Sequence, residues 1–240
     1  MTNKEYNKIG ERYAKMIKQD ALKKYLQYPG LIKLLGNVKD KLVLDIGCGN
    51  GYFSSMVAEE GAKLVGFDVS EKQIELAKEN EKDLKLGMEF FCSDQFKFSY
   101  PKRFDIAFSN MVIFYADDFK ELVQFFRCAF KLLKDNGKFI SVVVNPDYKR
   151  FNELHYDRKL VRKGNKTKSD FYINGKFDVS SEFYSSFTKK EYEKAAKETG
   201  FSKFEWKDIQ IEEEGIKDKG KEFWEGYNAD PLYGIFIVQK

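Results

Sequence analysis

The sequence predicts an α/β fold: a seven-stranded, mostly parallel, doubly wound sheet with an antiparallel hairpin at one edge. Three observations predict it. The apolar run Leu42-Val43-Leu44-Asp45-Ile46 is followed by Gly47, Gly49 and Gly51 and then by a helical pattern, the strand, turn and helix of a nucleotide-binding unit. Five strand-like runs alternate with helical patterns over residues 41–145, which calls for parallel strands and right-handed crossovers. Two later strand-like runs are joined without a long helix, as in an antiparallel edge pair.

Each element has its own local reason. Residues 4–28 carry Tyr6, Ile9, Tyr13, Met16 and Ile17 at three- and four-residue intervals and read as a helix. Tyr28-Pro29-Gly30 breaks it, and residues 31–35 form a short second helix. The first strand is 41–45; the second, 63–68, ends in Asp68, 23 positions after Asp45. Ser70 caps a helix over 71–80, with Gln73, Ile74 and Ala77 on its inner face. The third strand, 88–92, leads to Ser93-Asp94-Gln95, and the fourth, 104–110, to Met111-Val112-Ile113-Phe114-Tyr115. Asp117 or Asp118 caps an amphipathic helix over 119–133, and the turn Lys134-Asp135-Asn136-Gly137 opens a fifth strand, 138–145.

After Asn145-Pro146 the alternation stops. Residues 146–187 are rich in aromatic side chains, and Asn174-Gly175 between strand-like runs marks a β-hairpin. An insertion of this kind, set over the ligand edge of the sheet, reads as a lid. Thr188, with Glu191 three positions on, makes a capping box for a helix ending at Gly200. A sixth strand over 201–209 and a seventh over 233–238 form the edge pair; Phe223, Trp224 and Tyr227 between them mark part of that loop as packed.

Composition excludes several classes. The 240 residues, 42% hydrophobic, suffice for one large α/β domain with a substantial core. The net charge of +4 comes from basic residues interleaved with acids, which reads as a solvated surface and not a nucleic-acid patch. Cys48, Cys92 and Cys128 are unpatterned and His155 is the only histidine, so neither a disulfide framework nor a metal site is expected. The opening Met1-Thr2-Asn3-Lys4-Glu5 is polar, and no apolar run nears the roughly 20 residues that span a bilayer. With cysteines at apolar positions, this points to a reduced, cytoplasmic chain with no membrane partner.

Asp45, Asp68, Asp94, Asn110 and Asn145 stand at predicted strand C-termini, the edge where such sheets bind ligands. The spacing G-x-G-x-G differs from the dinucleotide pattern G-x-G-x-x-G, and Asp45 just before it suits a ligand with a positive charge better than a pyrophosphate. An acid about 20 residues beyond the glycine turn is placed to read a ribose diol, which selects Asp68.

The stretch D-I-G-C-G-N-G closely resembles the first motif of class I S-adenosylmethionine-dependent methyltransferases, and the resemblance runs from about residue 41 to 240. It implies a Rossmann-like fold, S-adenosyl-L-methionine as cofactor and S-adenosyl-L-homocysteine as product. Carried over, Gly47, Cys48 and Gly49 lie against the methionine part, and Asp45 sits near its amino group. Asp68 holds the ribose hydroxyls, Val69 and Gln73 flank the adenine, Asp94 and Gln95 read the adenine amino edge, and Asn110 lines the methionine side. The same resemblance divides the chain into a helical cap (1–38), a cofactor core (39–145), the lid (146–187) and a C-terminal helix with the strand pair (188–240), as a monomer or homodimer. Glu5-Tyr6-Asn7-Lys8-Ile9-Gly10-Glu11-Arg12-Tyr13, the hairpin insertion and Gly220-Lys221-Glu222-Phe223-Trp224 are similar to toxoflavin-synthase-like N-methyltransferases. Asn7, Gly10 and the glycine motif itself depart from that subfamily, which favours Asp, Ala and D-L-A-C-G-E-G.

The implied reaction is in-line displacement of the sulfonium methyl by a nitrogen or oxygen of a small, (hetero)aromatic acceptor, with the protein mainly aligning the two. Tyr6, Tyr115, Asn145 and Tyr172 are the candidate acceptor contacts, Tyr13 a contact to cofactor and acceptor, and His155 the candidate base. Aromatic residues in the insertion fit a stacked flat acceptor and equally an ordinary lid core. The alternatives are an RNA or protein acceptor, a non-catalytic cofactor-binding regulator and an NAD-dependent reductase. Ser109-Asn110-Met111-Val112 stands where amino-group methylation of bases typically uses Asn/Asp-Pro-Pro-Tyr, which disfavours the first.

Overall fold

The computed structural model describes residues 12, 14–164, 166–184 and 187–240; Tyr6 and Tyr13 lie outside them. The core strands are β1 (Leu42–Ile46), β2 (Lys63–Asp68), β3 (Glu89–Cys92), β4 (Phe104–Asn110) and β5 (Leu133–Val144). A second group is β6 (Leu154–His155), β7 (Arg158–Lys163), β8 (Lys166–Ile173) and β9 (Lys176–Tyr184), and the chain closes with β10 (Lys203–Lys207) and β11 (Tyr233–Gln239). The main sheet has the order β10-β11-β5-β4-β1-β2-β3. Strands β1 to β5 pair in parallel, and β11 is antiparallel to both β5 and β10. The fold is therefore Rossmann-like, with the expected antiparallel edge. Chain order reverses at β1, flanked by β2 and β4, which makes the crevice above β1 and β4 the switch point.

The apolar runs become the buried centre: Val43, Leu44, Phe104, Ala107, Phe108, Phe139 and Ile140 are all inaccessible. The turn at residues 134–137 is held inside β5. Leu133 pairs with Phe104, the ladder breaks, and it resumes at Lys138 opposite Ile106.

In chain order the helices are α1 (Tyr28–Leu35), α2 (Tyr52–Glu59), α3 (Glu71–Leu84), α4 (Phe119–Leu132), α5 (Lys189–Thr199) and α6 (Glu213–Lys219). Ser70 accepts from the Gln73 amide at α3, and Asp118, not Asp117, from the Glu121 amide at α4. At α5 the box is complete: Thr188 Oγ1 accepts from the Glu191 amide and Glu191 accepts from the Thr188 amide. Thr188→Ala is expected to cost about 1 kcal/mol, read as a lower denaturation midpoint with an unchanged slope.

Two expectations change. The preface helix is not broken at Pro29, which sits in the first turn of α1, directly after the π-helical turn that shifts the hydrogen-bond register. The interruption falls at residues 18–20, and a π-helical turn, Lys23–Gln27, leads into α1. The insertion is also more than a hairpin. The Asn174-Gly175 turn joins β8 to β9 as expected, but β6 and β7 extend the pair into a four-stranded antiparallel sheet.

This second sheet docks on the preface. Met16 and Ile17 pack with Phe171 and Val179 in a small cluster separate from the main core. Arg158 forms a buried ion pair with Asp20, and Arg12 pairs with Asp178 at 3.1 Å. Among the described residues no helix is long and apolar enough to cross a membrane.

Candidate active site

The site is a cleft along the carboxyl ends of β1, β2, β3 and β4. Its first end is a cavity of about 90 Å³ bounded by Asp45, Gly47, Cys48, Gly49, Gln73 and Asn110. Its second end is a cavity of about 290 Å³ bounded by Phe67, Ser93, Asp94, Gln95, Glu121 and Phe125. Gly47, Asp68, Val69, Val112 and Tyr115 border both, so the two ends form one cleft.

Two glycines of the turn do different work. Gly47 has φ 77°, and a Cβ there would lie 2.4 Å from Val112 Cγ2. Its small size therefore admits the loop after β4 and not a ligand. Gly49 has φ 53°, and a Cβ would meet only Gln73 Oε1 at 3.6 Å; this is the position where the backbone lies open to the cleft.

The acids are held by short-range polar contacts. Asp68 Oδ2 accepts from the Gly49 amide at 3.0 Å and Oδ1 from the Ser70 amide at 2.9 Å. Desolvation pushes its carboxyl up, opposed by amide hydrogen bonds from Ser70, Gly49 and Val69. Asp45 is 2% exposed; Oδ2 accepts from Ser54 Oγ at 2.7 Å, while Oδ1 is buried without a partner. Burial pushes Asp45 up to about 7, with the Ser54 hydrogen bond opposing and the Asp68 charge adding. Gln73 Nε2 is likewise buried without a partner. Asp94 Oδ1 accepts from the Phe96 and Lys97 amides, both at 2.9 Å, and Gln95 Nε2 donates to Glu121 Oε1 at 3.0 Å. Asn110 Oδ1 accepts from Gln27 Nε2 at 2.6 Å, tying the π-helical turn to the end of β4.

Beyond Tyr115 lies a third space, closed down to about 20 Å³, room for about one water. The second sheet roofs it with Arg158, Leu160, Ser169, Phe171, Ser181 and Phe183; Met111, Phe114 and Tyr115 form its floor. Tyr115 borders all three spaces.

Eleven of the residues read from the sequence, from Asp45 to Tyr115, thus meet in one cleft. Three do not. Asn145 donates to the Pro231 carbonyl at 2.8 Å and accepts from the Asp147 amide at 3.1 Å, so its amide joins β5 to the segment before β11. His155 faces Glu153, 2.8 Å away, and lines none of the three spaces. Tyr172 packs edge-on against Phe177 near the Asn174-Gly175 turn, also off the cleft. Conversely, Lys23, Tyr28 and Arg158 line the site unforeseen. The π-helical turn shifts the periodicity that would have placed Lys23, and β7 was not read as a strand.

Among the described residues no group of three or more His, Cys, Asp or Glu is placed to hold a metal. The polar set fits a cationic nucleoside: an orphaned carboxylate oxygen at one end, a ribose-type acid between, and a roomy second end.

The family comparison agrees with this geometry. A family profile described as a methyltransferase domain matches residues 37–213, and the chain belongs to that family. It is 32% identical over 147 residues to a ubiquinone biosynthesis O-methyltransferase of Pelagibacter ubique, covering 61% of this chain and 57% of that protein. It is 34% identical over 112 residues to a protein of Methanocaldococcus jannaschii provisionally named a protein N5-glutamine methyltransferase, covering 46% and 56%. The chain spans about half the length of the curated relatives it matches. An S-adenosylmethionine-dependent methyltransferase of Mesorhizobium loti has the same fold, with a TM-score of 0.65 at 20% identity over 93% of this chain and 100% of that one. The chain thus carries a methyltransferase domain on the class I, Rossmann-like fold.

Proposed function

We propose that this chain methylates a nitrogen or oxygen of a small, flat acceptor held between the cleft and the second sheet. The observation that carries the reading is Tyr115, which borders the two cleft ends and the roofed chamber together. A chamber roofed by the second sheet, opening from its one-water volume to admit a ring, favours a small acceptor over a folded protein or RNA, and the O-methyltransferase name of one relative supports an oxygen nucleophile.

Bound S-adenosylmethionine supplies a methyl group already activated on a sulfonium sulfur. Asp45 Oδ1 fits the ammonium of the methionine part, Asp68 the ribose hydroxyls, Val69 and Gln73 the faces of the adenine, and Asp94 with Gln95 its amino edge. Gly47, Cys48, Gly49 and Asn110 complete the methionine end. The second sheet serves as the lid that excludes water from the acceptor. Tyr115 positions the acceptor ring.

Calorimetry tests the reading: S-adenosylhomocysteine should bind and NAD should not. The opposite result removes it. Methyl transfer from labelled cofactor across phenols, heteroaromatic amines and small acids then identifies the acceptor.

Asp45 makes cofactor binding depend on pH. Burial pushes its carboxyl up to about 7 in the folded protein, well above the ordinary carboxylate range. The folded protein thus holds this proton more tightly than the unfolded chain. Its stabilising contribution is present below the unfolded pKa and is lost as pH rises toward 7. Ammonium binding needs the carboxylate, so affinity runs the other way. S-adenosylhomocysteine should bind roughly tenfold more weakly at pH 6 than at pH 8 by proton linkage. Asp45→Asn should flatten that dependence; a profile unchanged by the substitution would remove Asp45 from the ammonium role.

A further inference from the structure

We propose that Lys23 selects an acceptor that enters as an oxyanion, a carboxylate or an ionised phenol, and holds that charge beside the reacting end of the cleft. The inference rests on the methyl-transfer reading above and narrows its acceptor.

Lys23 is 5% exposed. Among the described residues no carboxylate pairs with its ammonium; the nearest recorded partner is the ring of Tyr28, with Nζ 5.5 Å from the centroid. A buried ammonium without a counter-charge is costly, and an anionic occupant removes that cost. The lysine is also turned inward by an unusual piece of backbone. It begins the π-helical turn Lys23–Gln27, and such turns often occur at functional sites. Asp20 fixes the start of this turn by accepting from the Lys23 amide at 3.2 Å.

Its position joins the cofactor cleft to the roofed chamber. Lys23 borders both the methionine end of the cleft and the roofed chamber. On the chamber side stand a second cation, Arg158, and the hydroxyls of Ser169 and Ser181; Ser169 Oγ is buried without a partner. The charge of Arg158 is met by Asp20, and no carboxylate lines the chamber. Asp45 and Asp68 line the methionine end that Lys23 also borders, but neither is paired with its ammonium, so that charge is open to an occupant on the chamber side. A protonated amine would face two cations there, whereas an oxyanion meets an ammonium and hydroxyl donors.

The same arrangement explains a missing base. No histidine or carboxylate lines the chamber, and His155 faces Glu153. An oxygen that arrives ionised has no proton to lose. Its lone pair forms the new O–CH₃ bond as the S–CH₃ bond breaks, and the bonding pair stays on sulfur. The ammonium of Lys23 keeps that oxygen ionised until transfer.

The test is calorimetry on protein saturated with S-adenosylhomocysteine, titrated with benzoate, with 4-nitrophenol above its own pKa, and with neutral benzamide. The wild type should prefer at least one anion over benzamide by about tenfold or more, the scale of one productive charge contact. The preferred anion tells carboxylate from phenolate. Lys23→Met and Lys23→Gln should both erase the preference and Lys23→Arg should keep it, while S-adenosylhomocysteine affinity, measured in parallel, should change by much less than the anion preference. Wild-type protein that binds the product but shows no anion preference overturns the proposal. So does a Lys23→Met protein that keeps the preference and loses product affinity, because Lys23 would then serve the cofactor's own carboxylate. Failure of the wild type to bind the product at all would instead remove the methyltransferase reading beneath it.

Discussion

Replacing Asp68 with alanine is expected to weaken S-adenosylhomocysteine binding by about 1.5–3 kcal/mol, the value of hydrogen bonds to a charged group, or roughly 10- to 150-fold in affinity. The side chain acts in two directions. It holds the glycine turn through the Gly49 amide and the start of α3 through the Ser70 amide. With three amides on about four lone-pair sites, the carboxylate keeps room to accept from a ribose hydroxyl. Desolvation raises its pKa, so in the empty protein the charge is held mainly by amides. A ribose hydroxyl would add a donor to a carboxylate already short of water. Asp68→Asn separates the two duties. One of its ends becomes a donor, which cannot satisfy both backbone amides and a diol, so it should lose affinity as well. Melting of the ligand-free variants measures the damage to the turn itself. An affinity left unchanged by Asp68→Ala would take the ribose away from this residue.

The legibility of the fold follows from burial. Strands β1, β4 and the apolar part of β5 lie inside the sheet, so their sequences are nearly continuous apolar runs. Asp68, Asp94 and Asn110 were readable because a parallel sheet gathers its strand ends on one edge. Asn145 obeyed the same rule yet lies off the cleft, because β11 pairs with β5 and brings Pro231 onto its amide. The second sheet was harder. Strands β7 and β8 carry Lys159, Lys163, Lys166 and Lys168, a composition that reads as exposed loop. One signal was present in the sequence: a Gly-Asn dipeptide, a hairpin type, follows Lys163, whose strand partner is Lys166. Lys23 was not readable, since α-helical spacing does not describe a π-helical turn.

Arg158→Met is expected to cost about 3–5 kcal/mol of stability, because it leaves the Asp20 carboxylate buried without its counter-charge. Both side chains are nearly inaccessible, at 4% and 5%. The guanidinium also lies over the Phe171 ring, 3.6 Å from its centroid, so truncation opens the small cluster that docks the second sheet on the preface. The cost should appear as a lower urea midpoint. Asp20→Asn should lose less, since an amide still accepts from the Lys23 amide but leaves Arg158 without a full charge partner. The double variant should recover part of the sum, because removing both charges ends the mismatch. Strict additivity would mean that the two groups do not meet in solution. Function divides along the same line. Arg158 borders the roofed chamber and not the adenine end. Arg158→Met, assayed where it is folded, should therefore keep product binding within a few-fold while acceptor use falls by much more. Equal loss of both would make the second sheet part of the cofactor site, and the division between a cofactor cleft and a separately docked lid would fail with it.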